Sequence, residues 1–155
     1  MGKPTFTVAI ATWFYVGYAP VAPGTVGAIC AWGPAWFVVH GLGFPAWAFA
    51  LVAIAIAPVG IWSAGVASSH FGSRDPSRVV IDEVIGQWIA IAPAAQDSWP
   101  QWIAALVLFR LFDIAKPFGI RRLEALTGGL GVVADDVGAG VCAMLGVLLI
   151  RWIGF

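Results

Sequence analysis

The chain has 155 residues, of which 61% are hydrophobic and 10% are charged, and its mean hydropathy is +0.91. A soluble domain contains about 25% charged residues, so this composition excludes an ordinary water-soluble fold and indicates a protein embedded in lipid. Eight basic and eight acidic residues give a net charge of zero, which excludes the basic surface that a nucleic-acid-binding protein needs. The length favours a single membrane-embedded domain, residues 1–155.

The first apolar segment, residues 7–19, is shorter than the roughly 20 residues that a helix needs to cross a bilayer. We predict a short re-entrant or interfacial helix here, closed by a loop at residues 20–24. The segment lacks the clean apolar core and the small-residue cleavage site of a signal peptide. We therefore expect it to be retained.

Five further apolar runs lie between helix-breaking or polar residues. The clearest transmembrane candidate is residues 45–66, which contains no charged residue. The other runs are residues 25–40, 79–95, 101–114 and 137–155. We predict an all-α polytopic membrane bundle, with about four transmembrane helices in addition to the short N-terminal helix. The polar stretches 68–78 and 116–131 are predicted to be surface loops, which places His70 in a loop.

The charges are distributed unevenly between the two membrane faces that this topology defines. If each span crosses once, nearly all basic residues lie on one face: Lys3, Arg74, Arg78, Arg110, Lys116, Arg121 and Arg122. The positive-inside rule makes this the cytoplasmic face, with Arg151 near the opposite one. Every acidic residue except Asp97 shares the cytoplasmic face. The pattern predicts a carboxylate-rich site there.

Asp82 and Glu83 are adjacent acids at the start of an apolar run. On a helix, Glu83, Gly86 and Gln87 share one face and form a small, polar stripe. A charge at membrane depth costs about 2.5–3.5 kcal/mol on insertion scales, so the pair indicates compensation by a metal, a base or an aqueous cleft. The alternative is that both acids simply cap the helix at its positive dipole end.

Arg110, Asp113 and Lys116 repeat every three residues at the end of another predicted helix. The spacing predicts that they stack on one face, and two cations beside a carboxylate suit a phosphate whose metal is held by acids. The alternative is a local Arg–Asp pair at a helix interface. Arg121 and Arg122 follow, and either could touch substrate or anchor the chain at anionic lipid headgroups.

A glycine-rich segment, residues 128–131, precedes Asp135 and Asp136 at the entrance of the last predicted span. Glycines let the backbone approach an anion, and successive carboxylates can reach a hard cation. The segment is neither a Walker A motif nor a dinucleotide fingerprint. Thr25 is a further candidate, because it is predicted to be a helix N-cap on the cytoplasmic face, where capping and anion binding are alternative roles.

The predicted carboxylate clusters converge on one membrane face, and their oxygen ligands favour Mg²⁺. The predicted metal ligands are Asp82, Glu83, Asp113, Asp135 and Asp136. Cys30 and Cys142 each lack an arginine six residues on, and His40 and His70 are unpaired, so neither a cysteine phosphatase loop nor a two-histidine site is present. Water activated by Mg²⁺ and a carboxylate remains as the nucleophile.

Metal-assisted phosphoryl chemistry on a lipid headgroup fits this pattern best. The predicted catalytic residues are Asp82, Glu83, Asp113 and Asp136. The predicted phosphate-binding residues are Arg110, Lys116, Thr25 and Arg121.

Four motifs together resemble those of the phosphatidylglycerophosphatase A family, in the same order along about residues 17–140. They are residues 22–27, 80–88, 110–117, and 128–131 with Asp135, Asp136 and residues 139–140. The resemblance implies a Mg²⁺-dependent enzyme of the bacterial inner membrane that removes the terminal phosphate from phosphatidylglycerophosphate to give phosphatidylglycerol. It also implies an all-helical fold in which a central helix is wrapped by the others. The partner is then a membrane phospholipid, and no protein partner is implied.

Two other classes of protein remain as alternatives. A transporter or ion-translocating subunit would use intramembrane acids as an ion path, but such sites usually lie near the midplane between repeated halves. The acids here lie near predicted helix ends, and the sequence shows no repeat. A noncatalytic scaffold packed through small residues leaves the paired acids unexplained.

Overall fold

The computed structural model describes residues 6–154, and its regular secondary structure is entirely helical over that range. The six α-helices are α1 (Phe6–Ala11), α2 (Pro23–Leu42), α3 (Ala48–Phe71), α4 (Ile81–Ala90), α5 (Trp99–Ala115) and α6 (Gly129–Trp152). Two short 3-10 helices, Val16–Tyr18 and Ile120–Ala125, lie in the connections. The predicted all-α fold is confirmed for these residues. Lys3, which entered the orientation argument, lies outside them.

Within residues 6–154, three helices are long and apolar enough to span a membrane: α2 with 20 residues, and α3 and α6 with 24 each. The apolar run at residues 101–114 corresponds to α5, whose 17 residues are at the lower end of the usual spanning length. α4 has only 10 residues, which make about 15 Å of helix, half of the roughly 30 Å hydrocarbon core. Residues 79–95 therefore form no single helix long enough to cross.

α4 is the central helix of the fold. It contacts α2, α3, α5 and α6, and every residue of it except Glu83 and Trp88 is buried. The expected arrangement, a central helix wrapped by the others, is confirmed. Because α4 is enclosed, its apolar residues such as Val84 and Ile85 fill the interior, and its polar residues must find partners or a ligand inside the protein.

The crossing of α4 and α6 depends on two facing glycines. An ideal Cβ atom added at Gly140 would lie 2.5 Å from the carbonyl oxygen of Gly86, and one added at Gly86 would lie 2.6 Å from that of Asp136. Small residues at membrane helix interfaces allow such close backbone approach. The second turn of α4 is thereby held against α6 between Asp136 and Gly140.

The N-terminal helix is too short to span a membrane, as predicted for this segment. α1 has six residues, and Trp13, Phe14 and Tyr15 then adopt left-handed backbone conformations that end the helix. The amide of Val80 donates a hydrogen bond of 2.9 Å to the carbonyl oxygen of Ala11. The segment is thus tied to the start of α4, and its re-entrant or interfacial position in the membrane stays a prediction.

The last helix begins earlier than the sequence pattern indicated. α6 begins at Gly129 rather than at residue 137, so Asp135 and Asp136 lie inside the helix and not in the connection before it. The glycines that suggested a loop serve packing instead, because an ideal Cβ atom at Gly129 would lie 1.9 Å from the carbonyl oxygen of Ile61 in α3. The two acids are therefore fixed on a rigid element.

α3 also extends further than predicted, to Phe71, so His70 lies in its last turn and not in a loop. The hydroxyls of the two serines in this part of α3 donate to backbone carbonyl oxygens. Ser69 Oγ donates to the Gly65 carbonyl oxygen at 3.2 Å, and Ser68 Oγ donates to that of Arg74 at 3.1 Å. The helix then ends at Gly72, whose φ of 66° is left-handed.

Candidate active site

A cavity of about 260 Å³, here called the acidic cavity, lies where the ends of five helices meet. α2, α4 and α6 begin at this side of the molecule, and α3 and α5 end there. Its polar lining residues are Asp75, Ser77, Asp82, Glu83, Arg110, Asp113, Lys116, Asp135 and Asp136. Alternating helix direction thus brings together charged groups that are far apart in the sequence.

The carboxylates of the acidic cavity form two groups that share one residue. Oxygen atoms of Asp82, Glu83 and Asp136 lie within 4.8 Å of one another, and so do oxygen atoms of Asp113, Asp135 and Asp136. All five acids predicted from the sequence as metal ligands are therefore brought together. Asp136, on the α6 turn that faces α4, is the residue common to both groups.

Several oxygen atoms in these groups lack a hydrogen-bond partner. Glu83 Oε2, Asp135 Oδ1 and Asp136 Oδ2 are buried and accept no hydrogen bond from any residue in the range 6–154. Buried carboxylate oxygens are costly unless a donor or cation compensates them. Hard oxygen ligands clustered at this spacing fit a divalent cation such as Mg²⁺, and two groups sharing a carboxylate would suit one ion or two.

Arg110 and Lys116 are the two cations that line the acidic cavity. Arg110 Nη1 lies 2.6 Å from Asp113 Oδ2 and 3.8 Å from Glu83 Oε1. Its Nε–H is buried and donates to no described residue. The guanidinium therefore joins the acids of α4 and α5 and still has a donor free for an anion, which is the geometry that phosphate oxygens accept.

Lys116 is paired with two carboxylates. Its Nζ donates to Asp135 Oδ2 and to Glu124 Oε1. Burial lowers the pKa of Lys116, but these two bonds outweigh burial and hold the pKa above its usual value, so the ammonium stays charged at neutral pH. Lys116 lines the acidic cavity together with Arg110 and Asp113, and its amide still donates to the carbonyl oxygen of Phe112 at 2.7 Å. Lys116 lies just past the end of α5 with φ of 47°, because Pro117 follows and disfavours a further helical turn.

Two acids near the cavity were not selected from the sequence. Asp75 lines the acidic cavity, and burial raises the pKa of its carboxyl while the nearby Lys116 lowers it. Glu124 forms an ion pair with Lys116. Both lie in polar connections on the predicted cytoplasmic face, and that shared side was the only signal in the sequence that could have identified them.

Thr25 does not occupy the N-cap position that was predicted for it. α2 begins at Pro23 after Ala22, since the fixed φ of proline suits the first helical position. Thr25 is the third helical residue and does not line the acidic cavity, whereas Ala22, Pro23 and Gly24 do. An ideal Cβ atom at Gly24 would lie 2.0 Å from Glu83 Oε1. The part of α2 that lines the cavity is therefore its backbone, packed closely against Glu83, and not the hydroxyl of Thr25.

Arg121 lies outside the acidic cavity. Its side chain and that of Arg122 are exposed in the Ile120–Ala125 3-10 helix. Arg74 instead connects this helix to the α3–α4 loop, because its Nη2 lies 3.0 Å from the Glu124 carbonyl oxygen and 3.1 Å from those of Ala125 and Leu126. Exposed arginines at a helix-end surface are suited to anionic lipid headgroups.

Comparison with known proteins identifies similar chains along most of the length. The family described as Phosphatidylglycerophosphatase A matches residues 9–151. A Bacteroides thetaiotaomicron protein named "Putative phosphatidylinositol-3-phosphatase" is 43% identical over 99% of both chains. Two proteins named "Phosphatidylglycerophosphatase A" are also similar. The one from Escherichia coli is 34% identical over 91% of this chain and 80% of its own, and the one from Haemophilus influenzae is 42% identical over 55% and 53%. No solved structure matches the chain.

Proposed function

Because the chain belongs to the phosphatidylglycerophosphatase A family, a family of lipid phosphatases, we propose that it hydrolyses phosphatidylglycerophosphate to phosphatidylglycerol and inorganic phosphate in the presence of Mg²⁺. The observation that supports this most directly is the acidic cavity, where two carboxylate groups share Asp136 beside Arg110 and Lys116. Phosphatidylinositol 3-phosphate is a second candidate substrate, because the name of the relative from Bacteroides thetaiotaomicron describes it.

In this proposal Asp82, Glu83, Asp113, Asp135 and Asp136 hold the metal. Bound Mg²⁺ would neutralise phosphate charge and lower the pKa of a water molecule. The chain's own groups do the rest. One carboxylate accepts the proton of the attacking water, whose oxygen forms a bond to phosphorus while the bond from phosphorus to the headgroup oxygen breaks. The resulting carboxylic acid gives this proton to the headgroup oxygen, which leaves as a hydroxyl and returns the carboxylate to its charged form.

Arg110 and Lys116 orient the phosphate in this proposal. The free Nε–H of Arg110 points to a role as a donor to phosphate oxygens, and its pairing with Asp113 holds the guanidinium in place. Lys116 adds a second positive charge at the edge of the cavity. Positioning and charge neutralisation are the main contributions that a protein makes to phosphoryl transfer.

The active site is proposed to face the cytoplasm of a bacterial inner membrane. The acidic cavity lies at the same end of the helices as Arg74, Arg78, Lys116, Arg121 and Arg122, whereas Arg151 lies at the far end of α6. An excess of basic residues marks the cytoplasmic side of short-looped membrane proteins. The same placement at helix ends, rather than along a path through the membrane, is the reason to prefer a phosphatase over a transporter.

The first prediction is that the purified protein in detergent or lipid vesicles releases phosphate from phosphatidylglycerophosphate when Mg²⁺ is present. A chelator should abolish release, and excess Mg²⁺ should restore it, because the unpaired carboxylates need a cation. Phosphatidylinositol 3-phosphate, tested in parallel, separates the two candidate substrates. No release from either lipid with Mg²⁺ would refute the phosphatase proposal. Release that continues in the presence of chelator would refute the proposed need for a metal ion.

A second prediction concerns Arg110. Arg110→Lys keeps the charge but loses the forked donors, so kcat/KM should fall by about tenfold or more. Arg121→Lys is the matched control, because Arg121 is exposed and outside the acidic cavity, and its kcat/KM should remain within about twofold. Phosphate-release kinetics measure both. Equal effects of the two substitutions on kcat/KM would refute the proposed role of Arg110 in binding phosphate.

A further inference from the structure

The connection between α3 and α4 forms a second cavity beside the acidic cavity. Its volume is about 400 Å³, and it is here called the loop cavity. Asp75 and Ser77 line both cavities. The other residues that line the loop cavity are Phe71, Ser73, Pro76 and Arg78. The two cavities are therefore neighbours, and one ligand can occupy parts of both.

Arg78 is the cation of the loop cavity, and it is held by aromatic rings instead of by an acid. Its Cζ lies 5.1 Å from the ring centroid of Tyr18 and 5.4 Å from that of Phe71. Its exposed side chain forms no ion pair and no hydrogen bond with any residue in the range 6–154. Contact with ring faces orients a planar guanidinium and leaves the N–H donors along its edge available to an anion.

The backbone of Arg78 is fixed against the N-terminal segment. An ideal Cβ atom at Gly17 would lie 1.9 Å from the Arg78 carbonyl oxygen, and Tyr18, which contacts the guanidinium, follows Gly17 directly. The same segment exposes further apolar side chains, those of Phe14, Tyr15 and Val21. Since aromatic residues are enriched where a membrane meets water, we expect Arg78 to lie at the depth of the lipid headgroups.

The charges of the loop cavity suit an anion with a single charge. Its lining has one cation, Arg78, and one acid, Asp75. Asp75 lies on the wall shared with the acidic cavity, near Lys116, and does not pair with Arg78. The guanidinium can therefore donate to the two free oxygens of a phosphodiester. A lining with no net positive charge would not compete with the acidic cavity and its metal for a doubly charged phosphate.

Both candidate substrates contain such a phosphodiester, because it links the headgroup to diacylglycerol. We propose that Arg78 binds this phosphodiester in the loop cavity while the acidic cavity holds the phosphate that is removed. This rests on the proposed phosphatase function and adds a residue that determines specificity, since a lipid with two phosphates is then preferred to one with a single phosphate. The phosphodiester is not changed in the reaction, so Arg78 contributes to binding and not to bond breaking.

The test compares Arg78→Gln with Arg122→Gln in neutral detergent micelles, where the added lipid is the only source of phosphodiester. Arg78→Gln should raise KM for phosphatidylglycerophosphate about tenfold and leave kcat within about twofold, because a charge-assisted contact of the bound lipid is lost. It should weaken binding of phosphatidylglycerol, which keeps only the phosphodiester, by about the same factor, measured from the rise in Tm that this lipid causes.

Arg122→Gln is the control, because it removes the same charge from an exposed residue that lines neither cavity. Its KM and its affinity for phosphatidylglycerol should stay within about twofold of the wild type. Arg78→Lys is a second variant that keeps a cation over the rings. Its KM should rise by about threefold or more, because the forked donors are lost, while Mg²⁺ raises its Tm as in the wild type.

The proposal is overturned if Arg78→Gln lowers kcat and leaves KM unchanged, or if Arg122→Gln raises KM equally. An unchanged KM in Arg78→Lys would overturn it even if Arg78→Gln does not fold. It is also overturned if phosphatidylglycerol binds the wild type and Arg78→Gln equally well, or binds neither. Absence of phosphate release by the wild type from both candidate lipids would instead refute the phosphatase function, and the binding of phosphatidylglycerol would still test Arg78.

Discussion

Replacing Asp136 with asparagine is expected to lower kcat for phosphate release by at least about 100-fold, because the loss of a metal ligand disables the site that activates water. Asp136 is the residue shared by both carboxylate groups, so its loss weakens every arrangement of one or two ions. The measurement is Mg²⁺-dependent phosphate release by the purified variant. Asp97→Asn, the same chemical change at an exposed position, should keep normal activity.

Stability distinguishes a lost metal site from a lost fold. Asp136 is 4% exposed and surrounded by other acids, so removing its charge relieves repulsion and should leave the metal-free protein as stable as the wild type or more stable. Mg²⁺ should raise the Tm of the wild-type protein by binding the folded state, and should raise that of Asp136→Asn much less. Wild-type activity in a variant with wild-type Mg²⁺ stabilisation would remove Asp136 from the site.

The sequence predicted the charged groups of the site because their placement follows from helix direction. Asp82, Asp113 and Asp136 belong to three different helices. Each lies near the end of its helix that is on the same side of the molecule, because successive helices run in opposite directions. The composition indicated that the chain is embedded in lipid, and the apolar runs indicated where the helices lie. Neither inference needed a long-range contact, which is why both could be made from local patterns.

The residues that the sequence did not reveal depend on contacts between distant loops. Asp75 reaches the cavity from the α3–α4 loop, and Arg74 beside it bonds the end of the Ile120–Ala125 3-10 helix. Glu124 is positioned through Lys116. No periodicity indicates such contacts. The predicted start of α6 was wrong for a related reason. Glycine is typical of loops, but Gly129 lies in the helix because only a residue without a side chain fits where α6 packs against α3.

The second large effect is expected from the smallest change, Gly86→Ala. An ideal Cβ atom at Gly86 would lie 2.4 Å from Phe109 Cε2 and 2.6 Å from the carbonyl oxygen of Asp136. The ring of Phe109 is fully buried and has no space into which it could move. The backbone at Asp136 can make room for the new methyl group only if α6 moves away from α4. Overpacking of this kind costs about 1–3 kcal/mol. The shift would also separate Asp136 from Asp82 and Glu83, so activity should fall by more than the loss of folded protein explains.

Gly41→Ala is the matched control for that prediction. Gly41 lies inside α2 and is exposed, and an ideal Cβ atom there would make only ordinary contacts of 3.6–3.8 Å with the ring of Phe37. Alanine is the better helix former by about 1 kcal/mol, so this variant should be as stable as the wild type or more stable, with unchanged activity. Thermal unfolding in detergent and phosphate release per folded molecule compare the two. If Gly86→Ala matched Gly41→Ala in both measurements, close approach of α4 and α6 would not be what assembles the carboxylates.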